Sequence, residues 1–274
     1  MDKKVFKFPS IEQFRNVIRT VDHKARFMGL GCDDQPLYDD EEGILPTLDY
    51  RGSVKLHGTN GGIVWRWDVQ EFQYVRQFQS RTNIITPMDD NAGFARLMSE
   101  INTDAILGQI MKTKNDLGYT PETVRLYGEW CGKGIQKKVG VCELDKMFVI
   151  VGVKVDDLWL TDDELQNIGL PEDRVFNILT FPTYEVTIDF NNPKDATTEM
   201  AAMVEKVEKE CPVSKVFFDE VMVNNTAYEE NGRIWFDREN GFTDKLKPVL
   251  VPHFNGLRSD SERGINIIKF SLID

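Results

Sequence analysis

Residues 147–155 read Met-Phe-Val-Ile-Val-Gly-Val-Lys-Val, an almost unbroken apolar run of strand-forming residues. A strand with one wet face alternates apolar and polar side chains, whereas a strand covered on both faces does not. The run therefore predicts a central strand, and the rest of the chain must supply its neighbours. Val124 to Glu129 reads as a further strand. Residues 52–67 and 71–81 alternate as a β-hairpin turning at Asp68-Val69-Gln70. Ile63, Trp65 and Trp67 then share one face, as do Phe72, Tyr74 and Phe78.

Helical periods lie between these strands. Residues 9–20 carry Ile11, Phe14, Val17 and Ile18 as an apolar stripe, with Ser10 and Gln13 as a capping box. Asn91 to Thr113 has apolar Phe94, Leu97, Met98, Ile101, Ile106 and Ile110, with Asp104 as a candidate break. Thr161-Asp162-Asp163-Glu164 is a capping box opening a short helix, and residues 194–210 form a longer one with Met200, Met203, Val204 and Val207 inward. Residues 29–47, rich in Gly, Asp and Pro, read as loop, and from 215 onward strand and loop return. With no repeat or low-complexity linker, the pattern predicts one α+β domain over 1–274.

Composition removes several classes of function. No apolar run reaches the roughly 20 residues of a membrane span, and Met1-Asp2-Lys3-Lys4 is too polar to open a signal peptide. Cys32, Cys131, Cys142 and Cys211 lie far apart, so reduced thiols in a cytoplasm are expected rather than a disulfide framework or zinc ribbon. His23, His57 and His253 are isolated and offer no histidine metal site. A net charge of −12 opposes a broad grip on nucleic acid. It permits a local one, because Arg51, Lys55, Arg66, Arg76, Arg81, Lys133, Lys137 and Lys138 cluster between residues 50 and 140.

The chemistry concentrates in Val54-Lys55-Leu56-His57-Gly58-Thr59-Asn60-Gly61-Gly62. Here a lysine ends a β-type run and small, turn-forming residues follow, which suits an amine aimed at a phosphate. A lysine of ordinary pKa is neutral about once in 2,500 molecules at pH 7. As a nucleophile it needs cationic neighbours or desolvation, and its phosphorus electrophile needs metal and further cations.

The order of segments around Lys55 resembles the RNA ligase 2-like, phage-type branch of the covalent nucleotidyltransferases. Lys55-Leu56-His57-Gly58 has the form of the family's nucleophile motif. Gln79-Ser80-Arg81, then Ile84-Ile85-Thr86-Pro87 and Asp89-Asp90-Asn91-Ala92-Gly93-Phe94, is similar to the segment in which an arginine follows the nucleophile by two strands. Tyr127-Gly128-Glu129-Trp130-Cys131-Gly132-Lys133-Gly134-Ile135-Gln136-Lys137 resembles the third motif, where a glutamate contacts the ribose and a Gly-rich turn admits the ligand. Met147 to Val153 resembles the strand whose aromatic stacks on adenine, with Phe148 in that role.

The match departs from the family pattern after residue 215. Asp219-Glu220-Val221-Met222-Val223-Asn224 stands where a Glu-Gly-x-Val strand is expected, with Glu220 on the metal-associated glutamate and Val221 in place of glycine. After Arg233-Ile234-Trp235-Phe236, acids in Asp237-Arg238-Glu239 replace the fifth motif's two lysines. Lys245 and Lys247 are the nearest intact pair if Asp237–Thr243 is a loop insertion, and Lys269 is the alternative.

The resemblance implies an α+β nucleotidyltransferase (ATP-grasp-like ligase) domain of antiparallel sheets flanked by helices, atypical from about residue 218. It implies an ATP- and Mg²⁺-dependent RNA ligase acting on RNA ends or nicked RNA in the cytoplasm. Lys55 would carry AMP. His57, Gly58, Arg81, Glu129, Phe148, Lys245 and Lys247 would hold the nucleotide, and Glu220 the metal. The alternatives are a non-catalytic ligase-derived protein that binds nucleotide or RNA ends, and a related DNA ligase or capping-type enzyme.

Overall fold

The computed structural model describes residues 4–9, 14–39, 44–114, 118–137, 140–209, 212–217, 236–237, 241–242 and 268–272. In chain order its helices and strands are α1 (Phe14–Arg26), β1 (Phe27–Leu30), β2 (Pro36–Tyr38), β3 (Thr47–Val54), β4 (Thr59–Asp68), β5 (Gln73–Ser80), β6 (Ile84–Ile85), α2 (Phe94–Glu100), α3 (Thr103–Thr113), β7 (Thr123–Cys131), β8 (Met147–Val155), β9 (Leu158–Trp159), α4 (Asp162–Leu165), β10 (Val175–Asn177), β11 (Thr183–Asp189), α5 (Pro193–Lys209), α6 (Pro212–Val216), β12 (Phe236–Asp237), β13 (Gly241–Phe242) and β14 (Ile268–Leu272). They fall into two units. The first comprises Met1–Pro9, Leu56–Phe181 and Val213–Trp235, and the second Ser10–Lys55, Pro182–Pro212 and Phe236–Asp274.

The first unit is built on one sheet of order β10-β8-β7-β4-β5-β6, with β9 added to β8. All its pairings are antiparallel except β10 with β8. The run at 147–155 thus lies between neighbours, and its residues are largely buried on both faces, as its lack of alternation requires. One face of this sheet carries Ile63, Trp65, Phe78, Leu126, Trp130, Phe148 and Ile150, all buried. Phe94 of α2 covers them, its ring 4.9 Å from that of Phe148 and 6.0 Å from Trp130. Burying an aromatic of this size contributes about 1.5–3 kcal/mol. The loop before α2 is shaped to deliver Phe94: Asp90 Oδ1 accepts from the Ala95 amide at 2.7 Å and Oδ2 from the Arg96 amide at 2.9 Å. Asp89-Asp90-Asn91-Ala92-Gly93 is therefore a helix-starting device.

In the second unit β3 lies between β11 and β14, antiparallel to both. The ring of Tyr50 on β3 lies 6.5 Å from that of Phe190. Helix α5 buries Met200, Val204 and Val207, and Met203 is half-buried. Among the described residues no helix is long and apolar enough to cross a membrane. Cys32, Cys131 and Cys142 are in no disulfide.

Several expectations need correction. Helix α1 is described from Phe14 and runs to Arg26, beyond the expected 9–20, with His23, Lys24 and Arg26 in its last turn, where the helix dipole favours cations. The proposed cap, Ser10 with Gln13, lies outside the described residues. Residues 29–47 are not all loop: Gly31, Asp33 and Asp34 lie in the turn of the small β1–β2 hairpin, and Pro36 opens β2. Residues 52–54 belong to β3 and leave the expected hairpin, because the chain passes to another sheet before β4. Phe72 has φ 51° and is exposed, so it is part of the turn and shares no face with Tyr74 and Phe78. Asp104 does not break the helix at 91–113; the break is at Ile101-Asn102, and Asp104 sits in the first turn of α3. An acid there is stabilised by the helix dipole.

Candidate functional site

Lys55 directly follows the last residue of β3, and it is half-buried. It closes the second unit's 10–55 segment, and Leu56 opens the next segment of the first. A strand-end lysine followed by a turn is thus present as expected. His57 is half-buried, and Gly58 occupies the bend before β4.

Gly58 is fixed by its surroundings. Its amide donates to Glu129 Oε1 at 3.0 Å, and its carbonyl accepts from Gln136 Nε2 at 3.1 Å. A Cβ at this position would lie 2.2 Å from the Trp130 carbonyl oxygen and 2.9 Å from Cys131 Cβ. The loop behind the lysine therefore presses its backbone against β7, and only glycine permits that approach.

Strand register assigns the faces. Glu129 pairs with Asn60 on β4 and Val149 on β8, and residues directly opposite share a face. Glu129, Asn60, Met147 and Val149 therefore lie on one face of the sheet, while Phe148, Trp130 and Gly128 lie on the other. The expectation that Phe148 stacks on a base is corrected on this ground. Its ring is fully buried against Phe94. It also fills the space a Cβ on Gly128 would take, 2.5 Å away. Strand residues alternate faces, so Phe148 cannot share the face of Glu129 across the β7–β8 ladder.

The Gly-rich turn after β7 has backbone reasons for its glycines. Gly132 has φ +121°, and its Cβ would meet Lys146 Cα at 2.6 Å; Gly134 has φ +78°. The turn brings Lys133 Nζ within 3.7 Å of Asp145 Oδ1. Lys146 Nζ donates to the Ala92 carbonyl at 3.0 Å. Arg81 follows β5 at the same end of the sheet, since Ser80 pairs with Gly61 and Asn60 with Glu129, and it is exposed.

Glu129, Gly58 and His57, with Arg81 at the same sheet end, are thus gathered in the first unit. Glu220, Lys245 and Lys247 lie outside the described residues. Lys269 is on β14 and pairs with Ser53, two residues before Lys55 on the neighbouring strand. Two polar residues that the sequence did not single out join this group: Gln136 bonds the Gly58 carbonyl, and Asn60 pairs with Glu129. Asn60 is placed by strand register and Gln136 by a tertiary hydrogen bond, neither of which leaves a local signal. Among the described residues no three His, Cys, Asp or Glu side chains gather as a metal cluster.

No family model matches the chain, and no curated protein matches it. Among solved structures it is similar to a Naegleria gruberi RNA ligase with pyrophosphate, at TM-score 0.41 and 16% identity over 72% of this chain and 47% of that one. It is also similar to a lysine-to-methionine variant of a Naegleria gruberi RNA ligase with AMP and manganese, at TM-score 0.39 and 16% identity over 73% of this chain and 47% of that one. The chain spans about half the length of these ligases.

Proposed function

We propose that the chain is an ATP-dependent RNA ligase of phage type that works through a lysyl-AMP intermediate on Lys55. The observation that carries this reading is the Gly58 amide bound to the Glu129 carboxylate at 3.0 Å. It ties the loop behind the lysine to the strand end that the ligase resemblance assigns to the ribose. Lys55 Nζ, once deprotonated, attacks the α-phosphorus of ATP. The N–P bond forms as the bond to pyrophosphate breaks. AMP then passes to an RNA 5′-phosphate, releasing the lysine, and a 3′-OH displaces AMP to seal the strand.

In this reading Glu129 holds the ribose, with His57 and Gly58 against the nucleotide, and Arg81 takes the phosphate or RNA end. Lys245 and Lys247, or Lys269 in their place, neutralise the α-phosphate. A divalent ion, expected to be magnesium, would supply further charge neutralisation, and Glu220 is the residue that would hold it. With Phe148 in the core, Met147 and Val149 are the β8 residues that share the glutamate's face.

The test is incubation with α-labelled ATP. An acid-labile, alkali-stable adduct that is lost in Lys55→Ala supports the reading, and no adduct across divalent metals and pH refutes it. The net charge of −12 and the acids at Asp237 and Glu239 favour a second reading, a non-catalytic protein that binds nucleotide or RNA ends. ATP binding without adduct or sealing would select it.

A further inference from the structure

The sheet face that carries Glu129 holds a second polar feature at its far end. Residues 4–9 are tied to this face through their backbone. Gln79, only 1% exposed, accepts from the Phe6 amide at 3.0 Å and donates to the Phe6 carbonyl at 2.5 Å. The Lys4 carbonyl accepts from Arg66 Nη2 at 2.8 Å and from Gln77 Nε2 at 3.1 Å. The Phe6 ring centre lies 4.3 Å from the Arg125 guanidinium and 5.2 Å from that of Arg66. Phe8 packs edge-on against Tyr127 and Trp159 at 5.4 and 5.7 Å.

Beside this segment is a cavity of about 300 Å³ lined chiefly by Lys4, Lys7, Arg125, Lys154, Tyr127 and Trp159. None of its lining residues is acidic. Asp157 approaches Lys154 Nζ at 3.2 Å but does not line the cavity. Arg125 Nη2 donates to Thr123 Oγ1 at 2.9 Å, whereas its Nε is buried with no hydrogen-bond partner. Trp159 is 39% exposed.

Cations gathered in one cavity repel one another, and more so in a partly desolvated space. In a chain of net charge −12 their clustering is local, and it is offset only in part: Lys154 has Asp157 at 3.2 Å and lies 5.8 Å from the centre of the Trp159 ring. A guanidinium fork and ammonium groups match phosphate oxygens, and an accessible indole offers a stacking surface for a base. The volume sits at the small end of ligand sites, the size of a single nucleotide rather than a duplex. We infer that this cavity is a second nucleotide subsite, which takes a phosphorylated nucleoside with its base on Trp159 and its phosphate on Arg125 and Lys154. The nucleoside is either free or part of a single RNA strand. Arg125 and Glu129 share β7 and its face four residues apart, so the subsite lies about 13 Å from the glutamate at a strand rise of ~3.3 Å per residue. The subsite stands whether or not Lys55 forms an adduct.

The experiment titrates AMP and a short single-stranded oligouridylate against the full chain carrying Glu129→Ala, by tryptophan fluorescence and calorimetry. The same chain additionally carrying Trp159→Leu, Lys154→Gln or Lys7→Glu is compared. Each is expected to weaken binding about tenfold, the typical scale of one stacking or phosphate contact, and Lys154→Gln to lower the salt slope by about one. Weakening for AMP assigns the free nucleotide, and weakening for the oligouridylate alone assigns a strand contact. If Trp159→Leu lowers the melting temperature, the exposed Lys7→Glu variant decides. Affinities within twofold of the parent for all three variants, or no binding of either ligand to the parent, overturn the inference. Failure of the lysine reading appears separately, as absence of adduct on the unmodified chain.

Discussion

Gly58→Ala is the sharpest perturbation of the candidate site, because the obstacle is backbone and cannot swing away. The added Cβ would stand 2.2 Å from the Trp130 carbonyl oxygen, where Cβ contacts essentially never fall below 3.0 Å. The loop or β7 must give by about 0.8 Å, and β7 is held on both sides by β4 and β8. The loop therefore retreats, and its 3.0 Å bond from the Gly58 amide to Glu129 stretches past hydrogen-bonding range. Losing a hydrogen bond to a charged group costs about 1.5–3 kcal/mol. A nucleophile misplaced by about 1 Å loses on the order of 100-fold in rate. Lys55 is three residues upstream in the chain, so adduct formation in Gly58→Ala should fall about 100-fold while the first unit still melts cooperatively. The assay is single-turnover labelling with α-labelled ATP, beside a thermal melt. A rate within threefold of the parent at an unchanged melting temperature would refute the reasoning.

Three further outcomes follow from the same structure. Phe148→Ala should destabilise the chain by about 3–5 kcal/mol in denaturant titrations, as loss of a packed core aromatic does. Phe148→Leu should leave the apparent affinity for ATP unchanged; a large rise in KM with unchanged stability would return the ring to the site. Glu164 couples stability to pH. Burial pushes its carboxyl up, but hydrogen bonds from Lys114 and Thr161 and the charge of Lys114 outweigh that and hold it below the ordinary carboxylate range. Lys114 Nζ lies 2.5 Å from Glu164 Oε1. A depressed folded pKa contributes stability that is present above the unfolded pKa and lost as pH falls through the folded one. The melting temperature should therefore fall on acidification through the carboxylate range, and less steeply in Lys114→Met; equal slopes would count against the pair.

Much of the architecture was legible because its signals are local. The capping box at Thr161 and Glu164 is present with both reciprocal bonds. The apolar run at 147–155 is a strand with those same bounds, and 194–210 differs from α5 by one residue at each end. Legibility failed where the deciding contact is distant. Residues 52–54 alternate smoothly into β4, so nothing local announces that they pair with β11 and β14 instead. Asp89-Asp90-Asn91 carries acids near a proposed phosphate site, yet Asp90 spends both oxygens on the start of α2.

For the candidate site, the sequence by itself determined the residue types: a lysine at a strand end, glycines where backbone must approach backbone, and a glutamate ending a strand. It also determined that β8 is covered, since an apolar run has no stable wet face. Only the tertiary structure decided which side of β8 faces Glu129. Face assignment depends on register, and a shift of one residue exchanges every side chain between faces. That is why Phe148 passed from a base-stacking candidate to the core beneath Phe94. The Gly58–Glu129 bond, 71 residues apart in sequence, is likewise a product of register.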